Sequence, residues 1–227
     1  MNRISKVCLA ILAIGGLALA QTSAKPPLQK GISVDMALTH DAAAAPDADA
    51  PLAWIVTITA EGKFYFGLDP VTPEKLAEDM KTHPRDRDAK LYVKADARAR
   101  FLDVQKVFAI AREVYFEQVV LLTAQPAAAR PAGPVAPWGI PVSLGAAPKQ
   151  PAVALQVAKS SRADLVILIN NQPVKESILR STLDPLLRDK TDKTLVLKVS
   201  GPLAFAQIAQ VLDMCSGAGA NIVIPVS

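Results

Sequence analysis

The stretch Lys90–Thr123, KLYVKADARARFLDVQKVFAIAREVYFEQVVLLT, returns at the C-terminus, over Thr194–Ser227, as TLVLKVSGPLAFAQIAQVLDMCSGAGANIVIPVS. A shift of 104 positions, with no gap, places Leu91 on Leu195, Lys94 on Lys198, Phe101 on Phe205, Val107 on Val211 and Val119 on Val223. Apolar class is also kept at Val93/Leu197, Val104/Ile208, Phe108/Leu212, Ala111/Cys215 and Val120/Ile224, the positions that a strand-helix-strand unit buries. Leu91, Val93 and Ala95 alternate as in a strand. Phe101, Val104, Phe108, Ala111 and Tyr115 line one face of a helix, and Val119–Leu122 reads as the closing strand.

Upstream of each copy the pattern is also shared. Leu52–Thr59 reads as a strand turning through Glu61-Gly62 into Lys63–Phe66, and Val153–Val157 and Leu165–Ile169 make the corresponding hairpin. Pro70-Val71 and Pro173-Val174 then precede a short helix in each copy. The first is capped by Thr72, with Pro73 at its first position, and runs to about Thr82. The second runs from about Lys175 to Leu187 with Leu179, Leu183, Leu186 and Leu187 inward, and Pro185 is expected to kink or shorten it. The expected fold is α+β: two tandem ββαβαβ units, each a four-stranded sheet with two helices on one face, the second unit covering what the first leaves open. Gly31, Ile32 and Val34 precede the first unit, and Gly139, Ile140 and Val142 precede the second. These paired segments are candidates for adding a strand to a neighbouring sheet edge.

Residues 1–24 carry two positive charges, an apolar run from Val7 to Ala20 and small residues at Ala18, Ala20 and Ala24, which reads as an export signal. The run is short for a spanning helix, so a retained membrane anchor is the alternative. The domain organisation read from the sequence is therefore a leader over 1–24, a first unit over 25–123, a Pro/Ala-rich linker over 124–138 and a second unit over 139–227. The Ala, Asp and Pro stretch from Asp41 to Pro51 is expected to be extended or mobile.

The net charge of +4 falls to +2 (23 basic against 21 acidic residues) without Arg3 and Lys6, and no concentrated basic face marks a nucleic-acid binder. The two cysteines are Cys8 in the leader and Cys215 on a helical apolar stripe, so a processed chain has no disulfide framework. With only His40 and His83 there is no histidine pair at metal spacing, and there is no Gly-rich phosphate loop, CxxC or G-x-S-x-G. Ser160-Ser161 beside Lys159 reads as a polar turn rather than a nucleophile, and Asp86 and Asp88, interrupted by Arg85 and Arg87, as a solvated loop. The expectation is a protein that is not an enzyme and holds no cofactor. Asp96, at a strand end before the long helix, is a candidate helix cap or partner contact, and Ser200 takes the same place in the second copy.

The leading GI.V segment, the EGKFYF hairpin, the PVTPEKL helix start, the VKAD strand end and the closing VVLLT strand together resemble the extracytoplasmic domain of the ExbD/TolR family of biopolymer-transport proteins. The likeness covers Gly31–Thr123 well and the second unit more faintly. It implies a cell-envelope scaffold or accessory component exposed to the periplasm, working beside ExbB- or TolQ-like channels and TonB- or TolA-like proteins, with peptidoglycan as a further partner. The alternative is a free periplasmic binding module for peptidoglycan or a small ligand. Family members carry an aspartate in a membrane helix for the proton pathway, whereas Val7–Ala20 has no acidic residue. Where the family has a glycine late in the second helix, the first copy has Tyr115 and the second Gly219. In the family the domains dimerise; here the two units are expected to form that dimer within one chain.

Overall fold

A computed structural model describes residues 31–82, 89–126, 137–146, 148, 153–160 and 164–226. The first half contains β1 (Ala43–Ala44), β2 (Trp54–Ile58), β3 (Phe64–Phe66), β4 (Asp69–Val71), α1 (Pro73–Thr82), β5 (Leu91–Ala95), α2 (Phe101–Glu113) and β6 (Gln118–Thr123). After β7 (Trp138–Gly145), the second half runs β8 (Val153–Lys159), β9 (Leu165–Ile169), β10 (Gln172–Val174), α3 (Leu179–Leu187), β11 (Thr194–Ser200), α4 (Phe205–Gly217) and β12 (Asn221–Pro225). Among the described residues the architecture is mixed α+β with a large sheet and four α-helices.

Two separate four-stranded sheets are not what forms. The strands join one 12-stranded sheet in the order β10-β9-β8-β11-β12-β7-β6-β5-β2-β3-β4, with β1 pairing β7. Apart from β1 and β7, each half supplies five strands, because a third hairpin strand, β4 or β10, comes after the expected pair. The turn into β10 is Asn170-Asn171, both at positive φ, as a tight hairpin of right-handed twist requires. β2, β5 and β6 are mutually parallel, as are β8, β11 and β12, each reached by a helical crossover.

All four helices share one apolar cluster on one face of the sheet, built from Phe101, Phe108, Leu121, Ile140, Leu155, Leu179, Leu183 and Phe205, among others. Burying each such side chain contributes about 1.5–3 kcal/mol. α1 begins as its sequence dictates: Thr72 Oγ1 accepts the Lys75 N–H at 3.3 Å and Pro73 fills the first helical position. Pro185 does not end α3, which continues to Leu187 with Leu179, Leu183 and Leu187 buried. Its first turn is a 3-10 turn over Glu176–Ile178. Cys215 is fully buried on α4 and burial pushes its thiol up to about 12, so it packs as an apolar side chain.

The opposite face is covered differently from the expectation that each unit covers the other. The Ala/Asp/Pro segment folds back over the first half: Pro46–Asp49 forms a 3-10 turn, and Ala48 is buried against Ile55, Tyr92 and Leu122. Small side chains let this backbone lie close to the sheet. The cover explains why Lys94 is 3% exposed while Lys198, its counterpart at the same strand position, is exposed. Burial pulls the Lys94 ammonium below its usual range, against an opposing influence from Asp49.

Tyr115 ends α2 at φ 66, and Gly219 ends α4 at φ 77. At both places the chain then returns an N–H to the helix, Phe116 to Ala111 O and Ala220 to Cys215 O. Only glycine takes this backbone without steric cost, and Tyr115 is 82% exposed, so its ring recovers little by packing. Tyr115→Gly is expected to stabilise the protein by about 1 kcal/mol, seen as a higher urea midpoint. An unchanged or lower midpoint would show that the ring contributes as much as the strain costs.

Candidate functional site

The functional geometry concentrates at the seam where the halves meet. β6 and β12 run in opposite directions, so a strand placed between them must be antiparallel to one and parallel to the other. β7 does this: Gln118–Thr123 of β6 pairs antiparallel with Ser143–Trp138, and Val223–Pro225 of β12 pairs parallel with Ser143–Gly145. The first part of β7 is closed on its other edge by β1, through Ala43↔Gly139 and Ala44↔Trp138. Pro141, which has no N–H to give, lies outside the stretch paired to β12. Ile140, Val142 and Leu144 point into the shared core, while Pro141 between them is exposed. Gly139 is packed so tightly that a Cβ there would collide with the Val120 side chain and lie 3.3 Å from Leu121 O.

Of the other proposed strand-pairing residues, Gly31, Ile32 and Val34 lie in no strand. Gly31, at φ 81, fits against β2, where a Cβ would meet Thr57 Oγ1 at 2.8 Å and Ile55 Cγ2 at 3.2 Å. The two GI.V segments therefore differ in structure: one is a full sheet strand and the other a close-packed lead-in. Both inner sheet edges are consumed at the seam, and both outermost strands carry a proline, Pro70 on β4 and Pro173 on β10. Partner contact by strand addition is thus discouraged at both outer ends of the sheet.

A second layer of the seam joins the helix starts. The Phe101 N–H donates to Leu203 O at 2.8 Å, and the Phe205 N–H donates to Ala99 O at 2.7 Å. Arg100 and Ala204 form a bridge between them. The residues immediately before the helices, Arg100 and Ala204, offer no side-chain oxygen; at α4, Gln207 Oε1 accepts the Ala204 N–H at 3.1 Å. Each helix therefore takes a cap from a carbonyl of the other half, satisfying an N–H that would otherwise lack a partner.

This arrangement corrects the capping role drawn for Asp96 and Ser200. α2 starts five residues after Asp96, and α4 starts five residues after Ser200, an exposed residue at the end of β11. Asp96 is instead the anchor of a turn. Its carboxylate, 4% exposed, accepts the Arg98 N–H at 3.0 Å, the Asp35 N–H at 3.2 Å and the Arg98 guanidinium at 2.9 and 3.1 Å. The Arg98 hydrogen bonds hold its carboxyl below the usual carboxylate range; burial opposes them, and the Asp35 N–H adds to them.

Two carboxylates that the sequence reading passed over are equally built in. Asp103, 1% exposed on α2, receives Arg100 at 2.9 and 3.2 Å and Lys106 at 2.8 Å. Burial works against its ionisation, but the bonds from Lys106 and Arg100 outweigh that and lower it. The signal was in the spacing, with a cation three residues to either side. Asp213 on α4 accepts the N–H groups of His40 at 2.7 Å and Asp41 at 2.9 Å, fastening the segment before β1 to the second half. Nothing in its own helix announced that role.

Because Asp96 and Asp103 are lowered in the folded state, their contribution is complete above the ordinary carboxylate range near 4 and drains as pH falls through their lowered values. Asp96→Asn is expected to flatten the loss of urea midpoint between about pH 5 and about pH 3 relative to the parent. Parallel acid slopes in parent and variant would remove Asp96 from this account.

Among the described residues no group of His, Cys, Asp and Glu is placed to hold a metal ion. His40 is exposed and serves through its backbone, while His83, Asp86, Asp88, Ser161 and the leader lie outside the described residues. Ser160 Oγ accepts the Asp164 N–H at 3.2 Å, as a turn residue does. No helix among the described residues is long and apolar enough to cross a membrane. No curated protein and no solved structure matches the chain. Residues 17–126 match the model of the family described as biopolymer transport protein ExbD/TolR.

Proposed function

We propose that the chain is a non-enzymatic cell-envelope scaffold or accessory component of a biopolymer-transport system, in which two ExbD/TolR-like ββαβαβ units, each extended by its third hairpin strand, pair inside one chain. The observation that carries this reading is the reciprocal cap. Phe101 and Phe205, Ala99 and Leu203, and Arg100 and Ala204 are each 104 positions apart, and each pair is joined to its own counterpart's neighbourhood by matching bonds. Contacts between equivalent positions are the mark of a two-fold axis. A homodimer would place such contacts between chains; here the Pro/Ala-rich linker and β7 place them within one.

β7 gives the pairing its permanence, since it fills the slot between β6 and β12 with the chain's own backbone. The leader sends the chain out of the cytoplasm, and the absence of an acidic residue in Val7–Ala20 separates it from proton conduction. Partners of ExbB/TolQ or TonB/TolA type would then meet a preassembled pair, on its helical or loop surfaces and not along its edges.

Solution mass tests the pairing: a monomer of 24.0 kDa for the full chain, or correspondingly less for a form without the leader, is expected across dilution. An obligate homodimer in which the two halves of each chain make no contact would overturn it. Crosslinking in intact cells to a channel or energising protein of the envelope is expected for the transport role. Strong retention on peptidoglycan sacculi without such crosslinks would replace it with a free binding module.

A further inference from the structure

Three of the large apolar side chains exposed on the protein gather at one end of the first half. β2, β5 and β6 start level with one another, through Trp54↔Leu91 and Leu91↔Val119, and β3 ends beside the start of β2. Leu52 leads into β2 and is 84% exposed, Leu68 comes after β3 and is 69% exposed, and Tyr115 leads into β6. Phe116, next to Tyr115, stacks edge-on against Trp54 at 5.5 Å, and Trp54 against Phe66 at 5.4 Å. Each of the three exposed residues lies within two positions of one of these rings, and Leu52 and Leu68 help to line a cleft of about 1100 Å³ together with Trp54 and Phe66. A strained, exposed tyrosine that folding does not need is the kind of outlier that marks a contact surface.

The path of the chain says what covers this surface. Gly31 lies over the middle of β2, against Thr57 and Ile55 and close to Gly67, and from there the backbone runs to Asp35 and Met36 beside Asp96, at the far end of β5. Traced backwards from Met36 to Gly31, it heads toward the end bearing Leu52 and Leu68. Ten residues, 21–30, separate Gly31 from the apolar run Val7–Ala20, and ten residues reach at most about 35 Å. Arg3 and Lys6 precede that run, the arrangement that keeps the N-terminus on the cytoplasmic side and delivers the downstream chain to the other side. The flanking charges are of both signs, Lys75 with Asp69 and Asp79, so a neutral surface suits this end as well as an anionic one.

We infer that this end of the first half rests on the lipid bilayer, with Leu52, Leu68 and Tyr115 seated at the headgroup boundary, where tyrosine is favoured at membrane surfaces. The inference takes residues 1–24 as a retained anchor and is independent of how the two halves pair. The tether holds the patch near the membrane, so a shallow contact suffices.

The test uses the full chain with Cys8→Ser, reconstituted in phosphatidylcholine vesicles. A polarity-sensitive fluorophore is placed at Leu68→Cys or, on the opposite end of β3, at Lys63→Cys. Both sites are accessible to the label, and Cys215 is buried. Quenching by brominated lipid is expected to be several-fold greater at position 68 than at 63, and Leu52→Asp combined with Tyr115→Asp is expected to abolish the difference. Equal quenching at the two sites would overturn the inference. So would a mature protein that lacks the leader and does not sediment with vesicles, or a label at position 68 that responds to protein concentration without lipid, which would assign the patch to a second copy.

Discussion

Ile140→Asp is expected to cost more than about 4 kcal/mol, the range of an unpaired charge placed in a core. Ile140 is fully buried at the centre of the seam, opposite Leu121 on β6. Its neighbours in the shared apolar cluster come from both halves. Either the group stays protonated or β7 leaves the sheet, and both outcomes weaken the contact of the halves. Denaturant unfolding followed by tryptophan fluorescence measures this, because Trp138 lies on β7 and Trp54 in the first half. Ile140→Val, which removes one methyl group, should cost about 1 kcal/mol. An Ile140→Asp variant as stable as the valine variant would show that β7 is dispensable.

Asp213→Ala is expected to cost about 2–4 kcal/mol, since it removes two charge-assisted hydrogen bonds and leaves the His40 and Asp41 N–H groups without that acceptor. The consequence is local as well as global. The segment before β1 is fastened at Asp96, at Thr123 through a 2.7 Å hydroxyl contact from Thr39, and at Asp213, and loss of the last frees its crossing to the second half. Amide hydrogen exchange at His40 and Asp41 should accelerate first. Asp41→Ala, by contrast, breaks only the partly exposed pair with Arg180 and should cost under about 1 kcal/mol. If the two variants behave alike, or the amides keep their protection, Asp213 is not the fastening.

What the sequence made legible was whatever depends on local period. The two strand-helix-strand copies, the Thr72 cap and the leucine face of α3 all arise from side-chain spacing along one element. The third hairpin strand was within reach, because Asn170-Asn171 between apolar residues is a recognisable tight turn. The rest depends on pairing across distance. The reciprocal caps use backbone carbonyls of Ala99 and Leu203, which any residue could supply, so no side chain advertises them. The cover formed around Ala48 has no period to read, since small residues in an irregular path bury themselves by closeness and not by pattern. Asp96 was singled out for its place at a strand end, but the groups it holds lie at residues 35 and 98 and not on the helix. Asp213 was invisible because its ligands come from a segment 172 residues or more away in sequence.

The reciprocal caps also set a timetable. The chain is made from its N-terminus, and the first half is complete by Thr123, yet at that moment the start of α2 lacks its carbonyl, the edge of β6 is bare and the fastening at Asp213 does not exist. β7 arrives next and closes that edge, but leaves its own other edge open along Ser143–Gly145. The stretch that closes the helix starts, Leu203–Ala206, and the strand that shields the other edge, β12, are among the last residues synthesised. Contacts of such long separation make assembly slow, and the half-made molecule presents an open strand edge throughout the wait. A nascent chain stalled between Thr123 and Leu203 is therefore the form most prone to aggregate, and the window closes in one cooperative step when the C-terminal segment from Leu203 onward emerges.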